Sequence, residues 1–355
     1  MKKKYRIVIP IVIVALLLVF NQCKSDPPES IVLDIPALEI ISPANNQMYT
    51  IGEEVTVALK INSPEDVSNL KLYVGGILVS ENIPSGETSI TFDTKDLPVG
   101  NLDLELFYNS DDDNQYSRKQ KITFFSDIIP EMKTVKILEE LPHNGTSYTQ
   151  GFEFYKGAMY ESTGQYGTSY IAEVDPKSGT LLRKKDLISN YFGEGITILD
   201  SVIYQLTWQA GLCKQYDMDF NEIGESTYVG DGWGLTNNGE QLIMSNGSDK
   251  IFWRDPETMD IIKELYIFDN QSSAVQINEL ELIGNRLFAN IYTENEIIEI
   301  DTANGKILSR IDCSEIVNMQ PVSVDYFNGI AYDSVTDKIY VTGKLYPSKY
   351  VVSFE

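Results

Sequence analysis

Apolar and polar residues alternate over short stretches of this chain, and turn-forming residues separate these stretches. In the first half the alternating stretches are 53–61, 70–74, 89–92, 101–108 and 119–125. A period of two residues places every second side chain on the same face of a strand. Roughly seven such strands predict an immunoglobulin-like β-sandwich over residues 37–126, which we expect to be a spacer or docking module.

A second pattern follows the segment 126–130, and it repeats. One repeated unit is an apolar strand that ends in Asp and a turn, at 171–176, 213–217, 251–256 and 297–301. The other is a short apolar strand that recurs at 158–160, 202–204, 241–243, 286–288 and 338–340. Members lie roughly 40 to 50 residues apart, which is typical of β-propeller blades. Five copies therefore predict five blades over residues 132–355.

The fifth repeat is one strand short, because only the segments 330 onward, 338–342 and 350–354 remain for it. We expect residues 134–141 to supply the missing strand, since this pairing hides a sheet edge that otherwise invites aggregation. A β-sandwich is the alternative for this region, but the repeat period argues against it. The predicted fold class is all-β, with a five-bladed β-propeller preceded by an immunoglobulin-like sandwich.

The amino terminus predicts where the protein resides. Basic residues precede an uncharged apolar run at 7–20, whose length suits a signal peptide better than a membrane span. The run leads to Cys23, and this arrangement resembles a bacterial lipoprotein signal. We therefore expect a signal peptide over 1–22, a lipid on Cys23 and a flexible tether over 23–36. Because Gln22 replaces the usual small residue, an uncleaved anchor is the alternative.

In either case we expect attachment to a membrane outside the cytoplasm, as an outer-membrane lipoprotein of the cell envelope that is periplasmic or surface-exposed. The formal net charge is −24, which repels phosphate backbones and argues against nucleic-acid partners. Cys213 and Cys313 lie in strand-like segments of different repeats. They are predicted to be separate buried thiols, with a disulfide as the alternative.

The single histidine, His143, limits the possible chemistry. A zinc site with two His ligands is impossible, and any Ser-His-Asp triad would have to use His143. Its surroundings, Leu141-Pro142-His143-Asn144-Gly145, are typical of a turn, so we expect a structural or solvated histidine.

Short motifs that combine Gly with polar or aromatic residues follow several strands. They occur at 149–151, 161–164, 192–195, 231–234, 278–281, 289–292 and 342–344. Equivalent positions of successive propeller blades converge on one end of the central channel. These polar groups are therefore expected to gather at one mouth, as a small-molecule site.

Taken in order, the motifs resemble those of plant-type glutaminyl-peptide cyclotransferases. The segments 147–151, 161–167, 191–195 and 231–235 carry the similarity, and 278–281, 328–332 and 341–344 extend it over about residues 134–355. The resemblance implies a five-bladed propeller that converts an N-terminal glutamine of peptides or proteins to pyroglutamate and releases ammonia.

The resemblance assigns the general acid/base to Glu194, in the Phe-Gly-Glu-Gly motif. Such a group is required because the attacking amine loses a proton and the leaving nitrogen gains one. Packing beside Phe192 and Trp233 is expected to desolvate the carboxyl and raise its pKa. The alternative is a carboxylate that only bonds backbone amides of a Gly-flanked turn.

Other roles follow from the same resemblance. Gln150 and Asn278 are expected to hydrogen-bond the substrate amide and the oxyanion, although either side chain could cap a turn or strand instead. Lys344 would add positive charge at the mouth, with a solvated surface lysine as the alternative.

Aromatic residues complete the predicted site. Phe192, Trp208 and Trp233 are expected to wall the glutamine side chain, with core packing as the alternative for the two tryptophans. Tyr292 stands where this family usually has Trp, so it can still stack on the substrate. Trp253 lies in a strand outside the motifs and is predicted to be structural.

No cofactor is expected for the chemistry, although the resemblance implies a structural calcium in the channel, with unassigned ligands. We expect a monomer that is tethered to a membrane. Two alternatives remain open: a non-catalytic envelope propeller that binds peptides or glycans, and a calcium-dependent hydrolase.

Overall fold

The computed structural model describes residues 37–84, 86–110 and 114–355, and most of them lie in β-strands. The predicted signal peptide, Cys23 and the tether fall outside these residues. Within the described ranges, no helix has the length and apolar character needed to cross a membrane.

The first part of the described chain is a two-sheet sandwich. Its strands are β1 (Leu38–Ser42), β2 (Gln47–Thr50), β3 (Glu54–Ile61), β4 (Ser68–Val74), β5 (Ile77–Ile83), β6 (Ser89–Asp93), β7 (Gly100–Asn109) and β8 (Gln115–Phe125), with a 3₁₀ turn at Pro64–Asp66. One sheet has the order β1-β3-β6 and the other β2-β8-β7-β4-β5. Alternate residues of β7 are buried in the shared core, as the sequence periodicity predicts. The eight strands slightly exceed the expected number.

The second part of the described chain contains twenty further strands and one short helix. They are β9 (Glu131–Pro142), β10 (Thr149–Tyr155), β11 (Ala158–Thr163), β12 (Tyr170–Val174), β13 (Leu181–Asp186), β14 (Gly193–Leu199), β15 (Val202–Thr207), β16 (Leu212–Tyr216), β17 (Glu222–Thr227), β18 (Leu235–Asn237), β19 (Leu242–Ser245), β20 (Lys250–Arg254), β21 (Ile261–Tyr266), β22 (Ile277–Ile283), β23 (Arg286–Ile291), β24 (Glu296–Asp301), β25 (Ile307–Asp312), β26 (Phe327–Asp333), β27 (Lys338–Gly343) and β28 (Ser348–Phe354). The short helix α1 (Ser314–Asn318) precedes β26.

These strands form four-stranded antiparallel units. Units 1 to 3 are the separate sheets β10–β13, β14–β17 and β18–β21. Units 4 and 5 are the two halves of an eight-stranded sheet, β22–β25 and β26–β28 with β9. In units 1 to 4 an Asp stands at the end of the third strand and explains the recurring motif. In unit 1 the Oδ1 of Asp175 accepts the Ser178 backbone N–H at 2.6 Å, and Asp217, Asp255 and Asp301 bond their own turns in the same way.

Strand β9 completes the fifth unit, which confirms the expected closure. It pairs antiparallel with β28, from Val135 opposite Phe354 to Pro142 opposite Ser348. Its first residues also pair parallel with β25, so β9 joins the beginning of this region to its end. The sheet edge of β28 is thereby covered.

The first strands of the units surround a common axis. Each of β10, β14, β18, β22 and β26 contacts the next in this order, and β26 also contacts β10. These five strands form a closed inner ring, and they carry the motifs at 149–151, 192–195 and 278–281.

The sandwich packs on the end of unit 3, on the segment that follows it and on a turn of unit 4. Phe268 belongs to the sandwich core, and Gly100 lies against the Tyr266 side chain so closely that a Cβ would overlap it. The Ser126 backbone N–H donates to the Asp269 carbonyl at 3.0 Å. The two parts therefore share apolar and polar contacts in addition to the connecting chain.

The structure tests three further predictions from the sequence. Cys213 and Cys313 are free and buried, which confirms separate thiols. Trp253 is buried in the core between units 3 and 4, as predicted. His143 is buried, so the structural interpretation is correct and the solvated one is wrong.

Candidate active site

Four inner strands share an irregularity at the same position. Their regular pairing is interrupted at Gln150, Glu194–Gly195, Asn278–Glu279 and Asn328–Gly329. Such β-bulges redirect a side chain and occur often beside active sites. Unit 3 lacks this bulge. There, Trp233 and Gly234 immediately precede the first strand, β18, where the other units have the bulge. Gln150, Glu194 and Asn278 of three of these bulges line one cavity together with Trp233.

A second equivalent position lies directly after the second strand of a unit. It holds Trp208 after β15, Tyr292 after β23 and Lys344 after β27. In unit 1, Gln165 follows β11 by two residues. The site thus combines two positions of a repeated unit, which explains why its residues are spread over the whole region.

The glycines of the motifs permit close approach of neighbouring inner strands. A Cβ on Gly195 would overlap the backbone of Gly234 and Leu235, and one on Gly234 would overlap the Asn278 carbonyl. The Gly195 N–H also donates to the Trp233 carbonyl at 2.7 Å. Only glycine allows this backbone packing, so the motifs fix the spacing of the groups beside them.

All eight sequence-predicted site residues line one cavity of about 210 Å³. They are Gln150, Phe192, Glu194, Trp208, Trp233, Asn278, Tyr292 and Lys344, and Tyr148 and Gln165 complete the wall. Tyr148 and Gln165 belong to the quoted motifs but received no role from the sequence. Their position at the ends of β-strands in the same unit as Gln150 is the signal that could have identified them.

Burial dominates the electrostatics of Glu194, which is only 4% exposed. It raises the pKa of the carboxyl well above the ordinary value of 4.5, and Asp231 adds to this shift by charge repulsion. Lys344 and the side-chain amide of Gln150 act in the opposite direction because both stabilise the carboxylate. The direction expected from the sequence is confirmed, because burial favours the neutral carboxyl over the carboxylate.

The Gln150 side chain is oriented by a neighbour that the sequence did not assign. Asn328 Nδ2 donates to the Thr149 carbonyl at 3.1 Å and to Gln150 Oε1 at 3.4 Å. With its oxygen turned toward Asn328, the Gln150 amide presents its N–H₂ group as a donor. Gln150 can therefore donate hydrogen bonds within the cavity.

Lys344 is buried at 3% exposure, so the solvated alternative is wrong. Its ammonium lies over two aromatic rings, 5.1 Å from the Tyr148 centroid and 4.9 Å from that of Tyr292. Burial lowers the pKa of Lys344, while Glu194 and Asp325 oppose this shift. The cation is thus held by aromatic faces and nearby carboxyl groups.

The two tryptophans differ in what their indole N–H groups contact. Trp208 Nε1 donates to Asp231 Oδ2 at 3.0 Å, and its ring meets Phe192 edge-on with centroids 5.6 Å apart. Trp233 packs edge-on against Tyr292, also at 5.6 Å. Among the described residues, however, the buried Trp233 Nε1 has no hydrogen-bond partner. One tryptophan is therefore fixed by a protein carboxylate, and the other keeps a free donor.

Asn278 provides an unpartnered hydrogen-bond acceptor, whereas Trp233 provides an unpartnered donor. Its Oδ1 is buried and accepts no hydrogen bond from the described part of the chain. Its backbone carbonyl accepts from Ser245 Oγ at 2.6 Å, and Ser245 Oγ also accepts the Gly234 N–H at 2.7 Å. Backbone bonds thus place this acceptor in the same cavity as the unpartnered donor of Trp233. A ligand that enters the cavity could satisfy both of these buried groups at once.

Three buried glutamates lie deeper on the inner strands. Glu279 accepts the backbone N–H groups of Phe152 and Ile330, while Glu153 accepts from Thr197 Oγ1 at 3.0 Å. Glu281 accepts from Tyr332 N–H at 3.2 Å. Across the described residues, no group of three or more His, Cys, Asp or Glu side chains is arranged to hold a metal ion. The structural calcium implied by the resemblance therefore stays a prediction.

Comparison with known proteins identifies the family to which this chain belongs. Residues 115–354 match the family described as Glutamine cyclotransferase, and residues 36–105 match the bacterial Ig domain. A glutaminyl-peptide cyclotransferase of Arabidopsis thaliana is 30% identical over 237 residues, which cover 64% of this chain and 74% of that protein. The crystal structure of Myxococcus xanthus glutaminyl cyclase matches with a TM-score of 0.60 and 28% identity, over 64% of this chain and 99% of that one. This chain belongs to the glutamine cyclotransferase family.

Proposed function

We propose that this protein converts an N-terminal glutamine of peptides or proteins to pyroglutamate and releases ammonia. The observation that carries the proposal is the pairing of a free buried donor and a free buried acceptor beside a buried carboxyl. A primary carboxamide has one acceptor oxygen and a donor NH₂ group. Trp233 Nε1 and Asn278 Oδ1 therefore complement a glutamine side chain, and Glu194 lies in the same cavity.

In the proposed reaction Glu194 moves one proton. The α-amino nitrogen attacks the side-chain amide carbon, and a carbon–nitrogen bond forms while the amide oxygen takes up negative charge. Glu194 accepts the proton that the amine loses and then donates it to the leaving nitrogen, whose bond to carbon breaks. The raised pKa supports this role, because a group that both accepts and donates works best near the operating pH.

The developing negative charge needs donors that are already in place. Trp233 Nε1, the Gln150 amide and the Lys344 ammonium are three donors of residues that line the cavity. Asn328 holds the Gln150 amide in position, and the rings of Tyr148 and Tyr292 hold the Lys344 ammonium. Donors that are fixed before the reaction stabilise an oxyanion without reorganising. Phe192, Trp208 and Tyr292 would hold the methylene groups of the substrate.

For the architecture, we propose that the five four-stranded units are the blades of a five-bladed β-propeller. The closed inner ring of first strands and the closure of the fifth unit by β9 support this proposal. No step of the proposed reaction passes through a metal. The contribution of a calcium ion in the channel would be structural, and no residues are assigned to hold it.

We also propose that Cys23 is lipidated and tethers a monomer to the envelope, with 37–126 as the sandwich and 132–355 as the enzyme domain. The basic, apolar and Cys-containing order of the first 23 residues supports this proposal. Labelling with a radioactive fatty acid tests it. Cys23→Ser should abolish the label and move the protein from the membrane fraction to the soluble fraction.

The activity is tested by ammonia release from a short peptide that begins with glutamine, measured for the purified protein and for Glu194→Gln. Release by the parent and its loss in the variant would support both the reaction and the role of Glu194. A bound peptide that stays unchanged in both proteins would instead favour a non-catalytic binding propeller.

A further inference from the structure

The size of the cavity limits how much of the substrate it can hold. This inference rests on the proposed function. At about 210 Å³ the cavity is smaller than the pockets of about 300–1,000 Å³ that usually enclose drug-sized ligands. It accommodates one glutamine residue, so the second residue of a peptide substrate must lie outside it.

A larger groove of about 810 Å³ adjoins the cavity. Tyr148 and Gln165 line both spaces, whereas Glu194, Trp233 and Asn278 line only the cavity. The amide end of a bound glutamine faces these last three residues in the proposed reaction. Its main chain therefore leaves the cavity past Tyr148 and Gln165 and enters the groove.

Asp325 stands at the junction of the two spaces. Its Oδ2 accepts from the Tyr148 hydroxyl at 2.7 Å, and its Oδ1 accepts the Tyr326 N–H at 2.9 Å. Burial and this bond to Asp325 raise the pKa of Tyr148, so the tyrosine stays a neutral donor. Within the described ranges, no Lys, Arg or His nitrogen lies within 4 Å of the Asp325 carboxylate.

The other charged residues of the groove balance each other. Lys184 Nζ lies 2.7 Å from Asp186 Oδ1, and the same ammonium sits 5.3 Å from the Tyr170 ring centroid. Lys344, the cation that faces Asp325 electrostatically, lies on the cavity side over the Tyr148 ring. The three charged residues that line the groove, Lys184, Asp186 and Asp325, therefore leave it with one net negative charge, which Lys344 offsets in part from the cavity side.

We propose that this groove is the subsite for the substrate residue that follows the glutamine, and that Asp325 makes it prefer a cationic side chain over an acidic one. The hydroxyl groups that line the groove suit the polar main chain of such a residue. The net charge of −24 on the whole chain acts in the same direction over longer distances.

The test compares three probes: glutaminamide, Gln-Lys-Ala-amide and Gln-Glu-Ala-amide. We expect kcat/KM to favour the Lys peptide over the Glu peptide by about three- to tenfold at low salt, since each partly exposed charge contact contributes modestly. The ratio should shrink at 0.5 M salt because of screening. Asp325→Asn should bring it close to one.

Asp337→Asn is the matched control. Asp337 also accepts a tyrosine hydroxyl, that of Tyr332 at 2.8 Å, but it lies outside the groove. This variant should keep the parent ratio. Equal rates for the two peptides in the parent, or an unchanged ratio in Asp325→Asn, would overturn the subsite.

The same experiment distinguishes a failure of the proposed reaction from a failure of the proposed subsite. Glutaminamide has no second residue, so its turnover tests the proposed reaction alone. Binding of the two peptides to Glu194→Gln, measured by calorimetry, tests the subsite without turnover. A three- to tenfold difference in Kd supports the subsite even if no ammonia is released, and equal Kd values overturn it.

Discussion

The Nε2 of His143 lies 3.1 Å from Glu161 Oε1, and neither side chain is exposed to solvent. His143 Nδ1 lies 2.8 Å from the Tyr346 carbonyl, just beyond Lys344 in the turn between β27 and β28. Glu161 also accepts from Thr149 Oγ1 at 2.7 Å, directly beside Gln150. The single histidine therefore connects the turn that carries Lys344 to the strand that carries Gln150.

Removing this imidazole should destabilise the protein and loosen the site. His143→Ala leaves Glu161 with one partner fewer in a buried place, which costs about 3 kcal/mol. We expect a lower free energy of unfolding in urea, together with a higher KM because Lys344 is less firmly held. A variant with parent stability would show that Glu161 is satisfied without His143.

Glu194→Gln should lower kcat by about 10²–10⁴-fold, the range that general acid–base groups contribute. The amide keeps the size of the side chain, so the thermal unfolding midpoint should change little. Ammonia release and circular dichroism measure the two effects. Glu173→Gln, on the neighbouring unit and outside the cavity, serves as the control and should keep full activity.

Trp233→Phe and Trp208→Phe should differ, because only Trp233 has a free indole N–H. Losing an oxyanion donor costs about 10²–10³-fold in kcat, and we expect this loss for Trp233→Phe. Trp208→Phe breaks only the bond to Asp231, so its main effect should be on KM. Similar kcat values in the two variants would argue against Trp233 as the donor.

Lys344→Met should shift the pH dependence of kcat/KM. Lys344 lowers the pKa of Glu194 against the effect of burial, so its removal raises that pKa further. If the ionised carboxylate is the form that accepts the proton, the acid limb moves to higher pH. The substrate amine titrates equally in both enzymes, and the difference therefore reports on Glu194. Lys344→Arg keeps the charge and should leave the limb near its parent position.

The buried glutamates of the inner ring should make stability depend on pH. Burial raises the pKa of Glu153 to about 8, and it raises those of Glu279 and Glu281 as well. The folded protein then holds protons that the unfolded chain releases above its ordinary pKa of 4.5. This stabilisation is complete below pH 4.5 and is lost as the pH rises toward about 8.

We therefore expect the unfolding midpoint to fall between about pH 5 and pH 8, and Glu153→Gln to flatten this slope. Calorimetry across this range measures the effect. Glu240→Gln, an exposed glutamate between β18 and β19, is the matched control and should keep the parent slope. If the unfolding midpoint of Glu153→Gln depends on pH as steeply as that of the parent, Glu153 does not cause this dependence.

The sequence by itself determined the repeated units and, through the family resemblance, eight of the ten residues that line the cavity. The alternation of the strands, the Asp at the third strand of four units and the glycine motifs are local features that recur, so they can be read without coordinates. The closing role of residues 134–141 was also predictable, because the last repeat lacked a strand.

Only the tertiary structure decided which polar atoms are free. The bulges that direct Gln150, Glu194 and Asn278 inward depend on pairing with a second strand, which leaves no mark in a single strand. The burial of Lys344 and His143, and the contrast between the indoles of Trp208 and Trp233, arise from side chains far apart in sequence. Hydrogen-bond satisfaction is a property of three-dimensional neighbours, so it could not be read along the chain.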